Sequence, residues 1–400
     1  MPLDVVETLC ELVSIPSVNP MGREVAGAEF CEQALTDHLE AVFRQRGLAV
    51  ERQEVSPRRS NILARLEGNR LAGEREQLIV WEAHQDTVPV DGMTIPPWTP
   101  EVRGGRVYGR GACDVKGGMA AMLAALSRLA EESPPGMPTL VLACSVNEEH
   151  GFTGAREMAR SWACGESPLV PRIPDAVIVA EPTQLDVVVA HKGVVRWRCH
   201  ARGRAAHSAT PNLGSNAIYA MGHVLGALED YAQRVVPQLG QHPRVGSPTL
   251  SVGLITGGIS VNTVPDDCAI EIDRRLCPGE DGTAARQAVM DFLRDRCPGA
   301  DIWHEEPFLA TDPLADERNE DLGRHLSLAA RAAGERGELA GVPYGTDAPA
   351  FDRLGVPTVV FGPGSIEQAH TSDEWIAVDQ LRAASEILYR FGRRGLRGAD

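Results

Sequence analysis

Residues 108–130 read YGRGACDVKGGMAAMLAALSRLA, and this stretch decides how the rest of the chain is read. Its Ala, Leu and Met content predicts a helix over 116–130 that stops before the breaker Ser133-Pro134-Pro135-Gly136. The glycine-rich segment ahead of it joins a short strand to that helix. Such turns at helix N-termini bind anions. A nucleotide site fails on detail, however, because the dinucleotide fingerprint requires Gly or Ala where Asp114 stands, and neither Lys116 nor Lys192 lies in a G-x-x-x-x-G-K-[ST] loop. Asp114 reads either as a helix cap or as a preoriented oxygen ligand at the positive end of the helix.

Outward from this turn, residues 4–14 and 24–46 carry apolar positions at helical spacing, whereas 77–83, 139–147 and 175–180 are short apolar runs bounded by polar residues, Pro or Gly. The pattern predicts an α/β layer of buried, largely parallel strands. It changes after Gly193: 194–202 alternates apolar and polar, 213–234 is helical, 249–255 and 268–275 are half-exposed strands, and 281–296 is helical again. From Glu317 the α/β style returns, with a strand at 357–361 and an amphipathic helix at 379–393. The expected fold class is therefore α/β, a mixed, mostly parallel sheet with flanking helices. The expected domains are a larger discontinuous one (1–193 and 308–400) and an inserted α+β domain (194–307).

With 43% hydrophobic and 24% charged residues, the 400-residue chain can bury two cores. Its formal charge of -16 would repel a phosphate backbone, so no nucleic-acid partner is expected. No apolar run approaches the ~20 residues that cross a bilayer, so no membrane partner is expected either. The N-terminal residues lack the basic and apolar regions of a secretory signal, which makes the cytoplasm the expected location. Nine scattered cysteines without a C-x-x-C pair argue against a disulfide framework and against a thiolate zinc site.

The chemistry gathers at predicted strand ends. His84-Gln85-Asp86 follows the first apolar run; residues two apart in extended backbone face the same side, so the Asp86 carboxylate can accept the second imidazole N–H of His84 and fix its tautomer for metal binding. A strand-end His bonded to a turn Asp is the plainer alternative. At Asn147-Glu148-Glu149-His150-Gly151 the adjacent carboxylates diverge, and one can bind a metal while the other holds water, or both are solvated turn residues. Glu181 ends 175–180 and His370 lies beyond 357–361. Ligand sites in α/β sheets gather at strand C-termini. Two His and three carboxylates, with a spare Glu, suit two borderline cations sharing a bridging carboxylate.

Together these motifs closely resemble the co-catalytic dizinc amidohydrolases and peptidases, the family of acetylornithine deacetylase, succinyl-diaminopimelate desuccinylase, the aminoacylases and the glutamate carboxypeptidases. The resemblance runs from Val13-Ser14-Ile15-Pro16-Ser17-Val18-Asn19 to the C-terminal helix. It implies two divalent metal ions, both zinc, with cobalt as the alternative metal. His84 and Glu181 would hold one ion, Glu149 and His370 the other, and Asp114 both, with Glu148 as general base and Asp86 supporting His84. The resemblance further implies a cis Asp114–Val115 peptide. It makes the insert a lid and dimerisation domain in which His207 stabilises the oxyanion, Asn262 lines the substrate and Arg275 of Asp273-Arg274-Arg275 binds its carboxylate; Gly364 is a further substrate-lining position.

The implied reaction is hydrolysis of the amide of an N-acyl amino acid or short peptide by a homodimer. Residues 362–370 and 344–348 are most like acetylornithine deacetylase, except that Asp347 stands where those deacetylases commonly carry Glu. A succinyl-diaminopimelate desuccinylase or related metallocarboxypeptidase is the alternative enzyme. A catalytically silent amino-acid-binding relative is the alternative of another class, against which the intact Glu148 argues. The remaining histidines read as structural or solvated.

Overall fold

A computed structural model describes residues 1–73 and 75–397, in two compact units. The first comprises Met1–Val189, Asp316–Ala340 and Thr346–Asp400; the second comprises Ala190–Ala315 with Gly341–Gly345.

The first unit is built on an eight-stranded mixed sheet. Its strands are β1 (Ala49–Ser56), β2 (Arg59–Leu66), β3 (Leu78–His84), β4 (Thr139–Ser145), β5 (Ala176–Val179), β6 (Val187–His191), β7 (Leu339–Val342) and β8 (Thr358–Val360), in the order β1-β2-β4-β3-β5-β8-β6-β7. The central β4, β3, β5 and β8 run parallel, whereas β1, β2 and β6 pair antiparallel. Strands covered on both faces appear as unbroken apolar runs. That is why LIVWEAH, TLVLACS and AVIV stand out in the sequence: every residue of the three is buried. Helices Lys116–Glu132 and Val378–Arg394 cover one face, the second through Leu381, Ala384, Leu388 and Phe391, which join Trp81, Leu126, Leu142 and Ile178 in one core, and helices Thr153–Cys164 and Ala348–Asp352 pack on the sheet outside that core.

The parallel register positions the site. His84 lies opposite Ser145, Glu82 opposite Val179, and Val179 opposite Val360. Strands β3 and β4 thus end level and β5 and β8 end two residues short of them, which brings the residues that follow all four to one edge of the sheet.

Three elements differ from the periodicity. The helix expected over 24–46 is confined to Gln33–Gln45. Ahead of it, Val18 exchanges backbone hydrogen bonds with Glu29 and Cys31, and Gly27 and Cys31 have positive φ, so tertiary pairing overrides the local helical signal. The hairpin β1–β2 gave no clear alternation in sequence, because β1 has no fully buried position. The helix expected over 213–234 spans Ala217–Asp230, starting where the Asn216 side chain accepts the Tyr219 N–H and running on into one π turn.

The second unit is an antiparallel sheet. Thr249–Gly257 pairs with Asp267–Leu276, which pairs with Gly193–Arg202, and Ile302–His304 and Leu309–Thr311 line the other side of that last strand. Helices Ala217–Asp230 and Gly282–Arg296 bury Met221, Val224, Val289 and Leu293 against Trp197, Cys199, Ile270 and Ile272. The opposite face carries ion pairs, Arg196 with Asp273 and Arg198 with Glu271. Strand Thr249–Gly257 is one edge of this sheet, with Leu254 60% and Ile255 54% exposed. No helix among the described residues is long and apolar enough to cross a membrane.

Gly362, just beyond β8, shows how tightly the strand ends are packed: a Cβ there would lie 2.5 Å from the Glu181 backbone oxygen. Gly362→Ala should therefore lower unfolding stability by about 1–3 kcal/mol, the usual cost of forcing an extra carbon into a filled site. Urea denaturation at wild-type midpoint would show that the strand ends can spread.

Candidate active site

His84 ends β3 with its side chain buried. Its Nδ1–H donates to the backbone carbonyl of Asp86 at 2.9 Å, and its Nε2 lies within hydrogen-bond distance of Asp114 Oδ1, at 3.1 Å. The tautomer is thus set by a carbonyl, because only the ring can supply the proton. The sequence reading assigned this task to the Asp86 carboxylate, but its Oδ1 stands 3.8 Å from Nδ1. That carboxylate is engaged elsewhere: Oδ1 accepts the Glu148 N–H, and Oδ2 accepts the Glu149 N–H and Asn19 Nδ2. Asp86 thus holds the imidazole with its backbone carbonyl and the Glu148-Glu149 turn with its carboxylate.

The turn itself follows β4. Asn147 takes a left-handed φ of 63°, which Asn tolerates better than most residues, and this swings the two glutamates away from the strand direction. The Asn147 side chain accepts from Asn19 and Arg59, and Arg59 in turn forms a two-point ion pair with buried Glu32. None of Asn19, Glu32 or Arg59 was singled out from sequence. A charged residue amid an otherwise helical pattern, as Glu32 is, carries no signal of burial.

Asp114 stands between the short strand Arg106–Tyr108 and helix Lys116–Glu132, and the Asp114–Val115 peptide is cis. Its two oxygens face different imidazoles: Oδ1 lies 3.1 Å from His84 Nε2, and Oδ2 lies 3.3 Å from His370 Nε2. His370 Nε2 is also 3.1 Å from Glu149 Oε2. Two ligand sets result, His84–Asp114–Glu181 and Asp114–Glu149–His370, each with donor atoms within 4.8 Å of one another. Gly364, on the loop between β8 and His370, has a φ of 92° and leaves no room for a Cβ, which would stand 2.6 Å from Cys113 Sγ.

Charge at this edge is out of balance. Burial first, then the neighbouring Asp114, pushes the Glu149 carboxyl up to about 7 and raises Glu181 strongly. Burial likewise raises Glu148. Burial works against Asp114 too, but hydrogen bonds to His370 and His84 hold it below the ordinary carboxylate range. Contacts with Asp114 and then Glu149 push His370 up to about 10. Glu149 Oε1 is buried with no hydrogen-bond partner among the described residues. An orphaned carboxylate oxygen within two sets of hard and borderline donors fits divalent cations.

The lid residues predicted from sequence all lie in the second unit. His207 and Asn262 come together there: His207 pairs with Thr263 in a two-stranded ribbon, and the Asn262 carbonyl accepts the Ser208 N–H. His207 Nδ1 accepts the Ala209 N–H, so a neutral ring carries its proton on exposed Nε2. Arg275 lies on the ion-paired face, its Nε on Asp273 Oδ1 at 2.8 Å, while Arg274 points to the buried face.

The site is thus a pair of candidate metal-ligand sets sharing Asp114 at the strand ends of an α/β sheet. The chain belongs to the Peptidase family M20/M25/M40, whose profile matches residues 80–394. It is 31% identical to the acetylornithine deacetylase of Vibrio campbellii over 97% of each chain. The fold is shared with the dipeptidase Dug1p of Saccharomyces cerevisiae (TM-score 0.79, 13% identity, 99% and 96% of the two chains). It is shared too with YxeP of Bacillus subtilis, described as a dinuclear metal binding peptidase (TM-score 0.68, 17% identity, 97% and 96%).

The imbalance predicts a pH dependence for the metal-free protein. Glu149 and Asp347 are pushed up to about 7 by burial, and His370 up to about 10. Folded values above the unfolded ones mean that the native state holds more protons, so stability falls as pH rises through this range. The melting temperature of chelated protein should drop, on the order of several °C, between about pH 6.5 and 8.5, and zinc or cobalt should abolish the drop. A flat or rising profile without metal would show that these carboxylates are not desolvated.

Proposed function

We propose that this chain hydrolyses the amide bond of an N-acyl amino acid, with acetylornithine as the nearest substrate, using two zinc ions, for which cobalt can substitute. The observation that carries the reading is the Asp114 carboxylate shared between two ligand sets, one residue of which, Glu149, is preceded by a buried Glu148. The 31% identity to an acetylornithine deacetylase over nearly the whole chain supports the substrate class. His84 and Glu181 would hold one ion, Glu149 and His370 the other, and Asp114 both. Bound there, the ions supply Lewis acidity toward the amide carbonyl and toward water.

The chain's own groups then do the following. Glu148, fixed by the bond from its N–H to Asp86, takes a proton from the attacking water and returns it to the leaving amine. Asp86 fixes the tautomer of His84 through its carbonyl and the aim of Glu148 through its carboxylate. His207 offers its Nε2–H to the oxyanion. Arg275, part-exposed beside Asp273, pairs with the substrate carboxylate, while Asn262 and Gly364 line the substrate. A cytoplasmic setting accords with nine cysteines that are all free thiols.

A homodimer is part of the reading. The edge strand Thr249–Gly257 with exposed Leu254 and Ile255, together with Tyr219 at 73% and Leu213 at 61% exposure, offers a face that a second copy can cover. His207 would then serve the partner's site.

Release of acetate, succinate and glutamate from a panel of N-acyl amino acids tests the substrate. Acetate from acetylornithine is expected to dominate, and a preference for succinyl substrates would favour the desuccinylase. Glu148→Ala should lose on the order of 10²-fold or more in turnover and keep both metals; a loss of metal would make Glu148 a ligand. Mixing Glu148→Ala with His207→Ala chains should restore activity through hybrid dimers. No recovery after demonstrated subunit exchange would place His207 in its own chain's site or outside catalysis.

A further inference from the structure

Glu374 lies four residues beyond His370, has a wholly buried side chain, and has no part in the two ligand sets. Its carboxylate reaches back across 260 residues to the loop that carries Asp114. Oε2 accepts Arg110 Nη1 at 2.8 Å and the Gly111 N–H at 2.9 Å; Oε1 accepts the Cys113 N–H at 2.8 Å and the Asp114 N–H at 3.0 Å. Four donors meet one carboxylate, which uses its full accepting capacity. The backbone repeats the tie: the Glu374 carbonyl accepts the Gly109 N–H, and Trp375 and Ile376 pair with Tyr108 and Val107.

We propose that Glu374 is a positioning residue for the candidate dinuclear centre, a clamp that locks the loop bearing the shared carboxylate Asp114 to the loop bearing His370. The proposal rests on the metal reading given above. One short segment, 370–374, contributes a ligand at one end and fixes the backbone of the bridging ligand at the other, so the separation of Asp114 Oδ2 from His370 Nε2 is set without either side chain having to find the other. Charge is essential to the device. A glutamine has the same shape but one accepting oxygen, and its NH₂ would confront two donors while Arg110, itself 3% exposed, lost its counter-charge.

Calorimetric titration of the full-length chain with Zn²⁺ and Co²⁺, read together with the visible spectrum of the cobalt form, tests this. Wild-type chain is expected to bind two ions. Glu374→Gln should weaken at least one of them by roughly 10–100-fold, the usual effect of removing a group that orients a ligand, and change the cobalt spectrum. Glu374→Asp, which keeps the charge, should recover part of the affinity. Arg110→Met leaves the three N–H bonds in place and should lower the melting temperature with both ions and the spectrum retained. Two ions bound by Glu374→Gln with wild-type affinity and spectrum would reduce Glu374 to a structural ion pair. A wild-type chain that binds no ion would overturn the metal reading itself. Should the Glu374 variants not fold, amide exchange in metal-free wild type decides: Gly111, Cys113 and Asp114 are expected to be protected, and free exchange at those amides would refute the clamp.

Discussion

Carboxylates crowded at one edge of a parallel sheet are the constraint on which the first unit depends. Asp114, Glu148, Glu149 and Glu181 meet at the edge where four parallel strands end, and Glu82 and Asp347 lie close behind, both raised by burial. Glu82 Oε1 and Asp347 Oδ1 have no hydrogen-bond partner among the described residues. Burying like charges in a poorly solvating interior is costly, and the cost falls only when cations or protons arrive. Such a cluster therefore costs stability as long as neither a cation nor a proton neutralises it.

The neighbouring hydrogen bonds make sense in this light. Mutually repelling groups move apart unless their backbones are held, and two turns of the cluster are held by charged or amide side chains from other elements. Asp86 and the Asn19–Asn147–Arg59–Glu32 chain fix the Glu148-Glu149 turn. Glu374 fixes the Asp114 loop. Buried Lys116 donates to the carbonyls of Leu12 and Ile15, tying the helix that follows Asp114 to the N-terminal segment. The second unit has a different economy, an apolar face under two helices and an ion-paired face above, with a separate two-stranded ribbon that pairs His207 with Thr263.

Much of this was legible in the chain itself. Apolar runs of β3, β4 and β5 announce strands covered on both faces, and the carboxylates and imidazoles that follow them announce a ligand edge, because side chains just past a strand end are the ones a parallel sheet exposes together. The helix after Asp114 is equally plain, since Ala, Leu and Met in long succession lose little entropy on coiling. Residue types and their places after strands were thus determined locally.

What only the tertiary structure decided is partnership. Periodicity records which face of an element is buried and not what lies against it. Sequence alone could not tell that Asp86 would spend its oxygens on the Glu148 and Glu149 amides, since two acceptors compete for the same imidazole proton and the nearer carbonyl takes it. Nor could it tell that 24–32 would pair with Val18 rather than coil, or that Glu374 would turn inward. A polar residue in a loop looks the same in sequence whether it faces water or four buried donors, and only the folded chain, by desolvating those donors, makes the carboxylate necessary.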